Sequence, residues 1–140
     1  MNHFLLFLTF SFLIGNISLN AEGSSLEFNY LKLLNAQGVP VKEKEVKPED
    51  QLTLELQYTC RGFSKESVVK IKVELFDTQG NSKLSDELTR EIIEGTRIDR
   101  YKLVVPQNIS GQFLVVLTLQ ILQEDQVLSE VVKTAPFEVD

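Results

Sequence analysis

Apolar and polar residues alternate with a period of two through most of the chain, and no helical period is sustained. The clearest example is residues 51–60. Their apolar side chains share one parity: Leu52, Leu54, Leu56, Tyr58 and Cys60. Because successive side chains of a strand point to opposite faces of its sheet, this segment predicts a β-strand with one buried face.

The same alternation predicts further strands at residues 26–34, 68–76, 100–106 and 111–122, and a last strand or pair of strands at residues 127–132 and 136–139. Their predicted inward side chains are Leu26, Phe28 and Tyr30; Val69, Ile71, Val73 and Leu75; Tyr101, Leu103 and Val105; and Phe113, Val115, Leu117, Leu119 and Ile121. Residues 82–93 fit a helical stripe or a strand equally well, and the β-rich sequence around them favours one or two short strands. Residues 111–122 are partly apolar at both parities, which is typical of a central strand.

Turn signals separate these segments, at Pro48–Asp50, at residues 77–81, at Glu94-Gly95 and at residues 124–126. About seven or eight short strands in one domain of ordinary size predict an all-β fold, an antiparallel two-sheet immunoglobulin-like β-sandwich. A small up-and-down barrel is the alternative. The long irregular connection at residues 39–50 favours the sandwich, because an up-and-down barrel is built mainly from tight hairpins.

The N-terminal segment has the pattern of a secretory signal peptide. Residues 4–14 are uncharged and apolar apart from Thr9 and Ser11, and small and polar residues follow up to Ala21. The apolar run is shorter than the ~20 residues that a spanning helix needs. We therefore expect residues 1–21 to be a cleaved signal and residues 22–140 to be one exported domain, periplasmic or secreted, with a cut after Gly23 as the alternative.

Three segments carry a resemblance to known modules: VKPEDQLTLELQYTC, VVKIKVELFDTQGN and VPQNISGQFLVVLTLQILQED. They resemble the immunoglobulin-like and fibronectin type III-like modules of exported proteins, in which a proline-and-acid turn precedes one core strand and a P…G-x-[FY]-x-V-x-L block forms another. The resemblance implies a module that binds, spaces or caps, with no active site common to the group.

The residue inventory disfavours catalysis. The only histidine, His3, lies in the predicted signal, so the mature chain lacks the usual general base and every imidazole metal ligand. We therefore predict no enzyme activity, no catalytic or metal-binding residues and no cofactor. The net charge of −6 and the scattered basic residues predict no nucleic-acid partner. Asn108-Ile109-Ser110 forms an N-glycosylation sequon in a predicted loop.

The only cysteine, Cys60, shares the inward parity of its strand. Free cysteine behaves as a small buried apolar residue, and no histidine is present to activate the thiol. We expect a buried structural thiol, with an intermolecular disulfide as the alternative. Antibody-type domains pair this strand's cysteine with one on the strand at residues 113–122, which here contains none.

Some apolar residues fall at predicted outward or strand-end positions and could form a partner-binding surface. They are Phe63, Phe76, Leu114, Val116 and Leu122. A neighbouring strand or loop covering them is the alternative. The last strand, if it lies at a sheet edge, could also accept a strand from a partner.

These features together predict a non-enzymatic exported accessory or interaction module that binds another protein. A minor subunit of an envelope or appendage assembly is the more specific form of this expectation. After signal cleavage it would not be an integral membrane protein. The alternative is a carrier that holds a small apolar ligand in a cavity between the sheets or within a barrel.

Overall fold

The computed structural model describes residues 18–19, 23–41 and 46–140. Of the predicted signal, only residues 18–19 are described, and residues 1–17 and 20–21 lie outside the described residues. The described chain forms strands and connections only, and none of it is a helix long and apolar enough to cross a bilayer. The strands are β1 (Ser18–Leu19), β2 (Ser25–Leu34), β3 (Gln51–Arg61), β4 (Val68–Asp77), β5 (Ser82–Glu91), β6 (Gly95–Val104), β7 (Gly111–Gln123) and β8 (Gln126–Val139).

The strands form two antiparallel sheets. The larger has the order β1-β8-β7-β4-β5, and the smaller has the order β2-β3-β6. The described strands therefore form an open two-layer sandwich and not a closed barrel, which confirms the predicted fold class. In the constant-type immunoglobulin arrangement one sheet has four strands and the other three. Here the smaller sheet contains the three strands β2, β3 and β6, because β5 pairs with β4 and so belongs to the larger sheet.

The core lies between the sheets and is built from the predicted alternate positions of β3, β4 and β7. Leu54, Leu56, Val69, Leu75 and Leu117 are fully buried there. β7 is central in its sheet, between β4 and β8, as its two-sided apolar pattern predicts. The ambiguous residues 82–91 form a single strand, β5, whose Leu84 and Leu88 pack against the core. A turn with Gly80 at φ 81° connects β4 to β5.

The prediction for β2 was wrong at one position. Leu26 and Phe28 lie opposite inward residues of β3, but Tyr30 lies opposite Gln57, because a β-bulge shifts the register between Phe28 and Tyr30. The extra residue reverses the parity of the strand that follows it. Tyr30 consequently points to the outer face, where its hydroxyl donates to Glu55 at 3.0 Å, and Leu31 takes the inward place opposite Leu56.

The two sheets leave two open sides, which are closed in different ways. On one side the edge strands β5 and β6 face each other through polar inward residues, and we call this the polar side: Asp86, Arg90, Arg97, Asp99 and Tyr101. On the other side β2 contacts β8. We call this the apolar side, because most of its inward residues are apolar: Leu26, Phe28, Leu31, Leu33, Val131, Ala135 and Phe137.

Candidate interaction surface

The five residues predicted to form a partner-binding surface do not lie together. Phe76 pairs with Leu114 at one end of the larger sheet, whereas Leu122 pairs with Val68 at the other. Val116 lies six residues from Leu122 on β7, a separation of roughly 20 Å along a strand. Their outer face is therefore divided into two separate apolar groups.

Leu114 does not contribute to an exposed surface, because its side chain is 0% exposed. It lies on a central strand between Phe76 of β4 and Pro136 of β8 in the register of the sheet. Phe76, Val116 and Leu122 are half-buried. Strand parity placed all of these on the outer face, but parity does not predict how much of a side chain its neighbours cover.

Phe63 lies at the Leu122 end, in the loop between β3 and β4, and lines a surface groove of about 880 Å³. We call this the end groove. The β3–β4 loop and the β5–β6 turn form it together. Its lining residues are Gly62, Phe63, Lys65, Glu66, Ser67, Val68, Glu91, Ile92, Ile93 and Glu94.

Close contacts position both segments of the end groove. Gly62 adopts φ 79°, and a Cβ atom there would collide with the carbonyl oxygen of Gly23. Its backbone N–H donates to Glu94 Oε1 at 2.9 Å, which connects the loop to the turn. Arg97 Nη1 donates to the backbone oxygen of Glu91 at 2.9 Å. Glycine is required at Gly62 because its left-handed conformation and the close backbone leave no room for a side chain.

The end groove exposes apolar area within an acidic rim. Ile93 is 53% exposed and Val68 is 37% exposed, two of the most exposed large apolar side chains of the described chain. Of the charged lining residues, Lys65 is the only cation and three are glutamates. Ile93 is not among the residues predicted to form a partner-binding surface. The adjacent pair Ile92-Ile93 could have indicated an exposed apolar side chain, because two neighbouring residues at a strand end cannot both point inward.

Cys60 lies at the end of β3, near the end groove, and is 1% exposed. Burial raises the pKa of its thiol to about 11, and the nearby Glu94 carboxylate adds to the rise. The thiolate is the reactive form of cysteine, and both the burial and the raised pKa disfavour its formation at neutral pH. Cys60 therefore lies in the core with the other inward residues of β3.

The described residues contain no cluster of three or more His, Cys, Asp or Glu side chains that could hold a metal ion. A second cavity, of about 230 Å³, lies at the other end of the sandwich and is lined mainly by residues 35–37 and 50–52. Neither cavity is lined by the inward residues Leu54, Leu56, Phe113 and Leu117, which are buried in one core cluster.

No protein-family description matches the chain, and no curated protein matches it by sequence. Solved structures do match. The C-terminal domain of Wzt is 13% identical with a TM-score of 0.65, over 89% of this chain and 77% of that one. An immunoglobulin-like protein from Pseudomonas aeruginosa is 11% identical with a TM-score of 0.42, over 86% of this chain and all of that one.

A third match is the alkylpurine DNA glycosylase AlkC of Pseudomonas fluorescens, at 11% identity and a TM-score of 0.48. It covers 81% of this chain but only 30% of the glycosylase chain. At such identities the likeness concerns the fold alone. The fold is that of an immunoglobulin-like β-sandwich.

Proposed function

We propose that this protein is a non-enzymatic interaction module that is exported to the periplasm or outside the cell and binds another protein through its end groove. We further propose that it is a minor subunit of an envelope or appendage assembly. The signal-like pattern of residues 1–21 supports export. The observation that carries the binding proposal is the apolar area that Ile93 and Val68 expose within an acidic rim.

The physical reason lies in the cost of leaving that area in water. Each Å² of exposed apolar surface that a partner covers contributes about 25 cal/mol to the free energy of burial. Charge complementarity favours a partner that brings basic residues to the acidic rim. Apolar side chains in a concave site surrounded by charge are typical of an interface. The partner segment should therefore combine apolar residues with lysine or arginine.

The test places a photoreactive residue at position 93 and crosslinks in the native envelope or secretome. A matched control places the same residue at Val39, which is 47% exposed at the opposite end of the sandwich. We expect a defined protein adduct from position 93 and none from position 39. Ile93→Asp should abolish capture in a tagged chain, and Val39→Asp should not. Recovery of monomer alone from position 93 would overturn the proposal.

The carrier alternative has no specific observation in its favour. Leu54, Leu56 and Leu117 are 0% exposed and Phe113 is 3% exposed, because they pack against one another in the core. Native interiors are filled at the density of organic crystals. Native mass spectrometry of the purified protein distinguishes the two functions, because a carrier retains a bound small molecule and an interaction module does not.

A further inference from the structure

One side of the β8 backbone pairs with β7, and the other side, here called outward, faces away from β7 and pairs only with the two residues of β1. Proline has no N–H, so it fits in a strand only where that N–H would face away from the neighbouring strand. Pro136 therefore marks the outward side. Because backbone groups alternate with a period of two, the N–H and C=O groups of Thr134, Val132 and Glu130 face outward as well. Asp140 has the same parity, and its N–H donates outward to the carbonyl of Val46 at 2.7 Å.

The two halves of this edge differ. In the half after Val132, an inward lysine, Lys133, and a proline, Pro136, are both devices that discourage further strand pairing. A bridge from Val46 to Val139 covers its end. The half from Gln126 to Val132 contains neither lysine nor proline. We call it the open half, because it has neither of these devices against further strand pairing.

The open half is paired with the chain's own N-terminal segment. β1 lies antiparallel to it, with Ser18 opposite Val131 and Leu19 opposite Glu130. Since the Glu130 backbone groups face outward, Leu19 and Glu130 form a pair that exchanges both backbone hydrogen bonds. Both residues of β1 belong to the predicted signal, so cleavage after Ala21 would remove them and leave these groups without a strand.

We propose that the open half of the β8 edge, Gln126–Val132, docks an extended strand of a partner protein, which pairs antiparallel in the place that Ser18–Leu19 occupy in the precursor. In the precursor, Ser18 and Leu19 thus cover Glu130 and Val131 of this edge until cleavage removes them. The inference rests on the proposed export and partner binding, and it adds a second contact on a different part of the molecule from the end groove.

A second copy of this chain is the less suitable occupant. Two β8 strands related by a two-fold axis near Val131 would pair in opposite directions. Each copy would then bring Lys133 and Pro136 against the open half of the other. The proline would remove a hydrogen bond, and the lysine would be placed in the joint core. A partner strand without these residues has neither defect.

The test uses the mature protein that cells secrete from the full-length precursor, with its N-terminus established by intact mass. The probe is a synthetic peptide of residues 14–22, IGNISLNAE. We expect the peptide to bind and to slow amide hydrogen exchange at Glu130 and Val132, but not at Glu138. N-methylation of Leu19 in the peptide should weaken binding about tenfold, because it removes a backbone bond to Glu130. N-methylation of Ser18, whose N–H faces away from β8, should not.

Two protein variants complete the test. Glu130→Pro removes the outward N–H without changing the pairing with β7, and it should weaken peptide binding about tenfold. Thr134→Pro makes the same change in the other half and should leave binding unchanged. Both variants are checked for folding by circular dichroism, and the methylated peptides decide the outcome if either fails to fold.

Three results would overturn the proposal: a secreted protein that retains residues 18–19, a mature protein that does not bind the peptide, or a dimer that Glu130→Pro converts to monomer. The last result would identify a second copy as the occupant. Each is independent of crosslinking at position 93, so failure of the edge and failure of the end groove are distinguishable.

Discussion

The two open sides of the sandwich are closed by different interactions, ion pairs and hydrogen bonds on the polar side and packing on the apolar side. On the polar side, Asp99 is 6% exposed and accepts a hydrogen bond from the hydroxyl of Tyr58 at 2.5 Å. Arg97 and Arg90 lie 3.2 Å and 3.8 Å from the same carboxylate. Farther along, the hydroxyl of Tyr101 donates to Asp86 at 2.6 Å. Of these contacts, the Arg90–Asp99 ion pair and the Tyr101–Asp86 hydrogen bond connect β5 to β6 and so join the two sheets.

On the apolar side, the corresponding contact is packing. Phe28 and Leu31 of β2 pack against the same apolar core as Phe137 of β8. Lys133 Nζ of β8 lies 5.7 Å from the centroid of the Phe28 ring of β2. Packing has little directional requirement, whereas a buried carboxylate needs every partner in place. The polar side should therefore be sensitive to single substitutions and to pH, and the apolar side should tolerate change at its edge.

The largest effect is expected from Asp99→Ala. The substitution leaves the Tyr58 hydroxyl buried without its acceptor and removes the anion between two arginines, so we expect a loss of about 3 kcal/mol of unfolding free energy. Urea denaturation at neutral pH measures it. Tyr58→Phe is the matched control, since Asp99 keeps Arg97, and it should cost about 1 kcal/mol. A loss for Asp99→Ala no larger than that for Tyr58→Phe would contradict the importance of the carboxylate.

An intermediate effect is expected at alkaline pH. Burial, together with the hydrogen bond to Asp86, raises the pKa of Tyr101 from 10.0 to about 12. Burial and the Asp99 hydrogen bond raise the pKa of Tyr58 further still. A phenol whose pKa is higher in the folded state stabilises the fold below the unfolded pKa, and that contribution is lost as the pH rises through the folded pKa.

Unfolding free energy should therefore fall between about pH 10 and about pH 12, and Tyr101→Phe should fall less steeply over the same interval. The measurement is urea denaturation at several alkaline pH values, with tyrosinate absorbance followed in parallel. An unchanged slope in Tyr101→Phe would show that the polar side does not depend on this phenol.

The smallest effect on stability is expected on the apolar side, from Lys133→Met. The ammonium group makes one weak contact with the Phe28 ring, so the change in unfolding free energy should stay below about 1 kcal/mol. Self-association should increase instead, because an inward charge on an edge strand opposes strand addition. Sedimentation velocity measures the association.

Lys102→Met, on the exposed outer side of β6, changes the net charge equally and should not promote association. Equal association of both variants would indicate a general charge effect and not protection of the β8 edge.

How far the sequence predicted the fold depends on how regular each strand is. In β3, β4 and β7 the apolar residues of the inward parity are all buried, so these inward residues could be assigned without the structure. In β2 the bulge at Asn29 reversed the parity, and its cause is the pairing of that segment with β3. Asp99 shares the inward parity of Leu103, but a charged residue at a core position is unexpected until its partners are known.

The end groove shows the same limit. Phe63 was selected from its own neighbourhood, but Ile93 lies thirty residues later and joins it only because the β3–β4 loop and the β5–β6 turn meet at one end of the sandwich. Leu114 was selected by parity and is buried, because coverage depends on neighbours that belong to other strands. The alternation of polar and apolar residues within one segment does not predict contacts of this kind, because they join residues that are far apart in the sequence.

The sequence by itself determined the strand content, the two-sheet class and the inward position of Cys60, because these follow from the period of two and from the buried preference of apolar side chains. Only the tertiary structure decided which strands lie at the edges, which side is closed by charge and which by packing, and which apolar residues stay exposed. The physical reason is that burial, ion pairing and edge position depend on residues far apart in the chain, whereas alternation depends on adjacent ones.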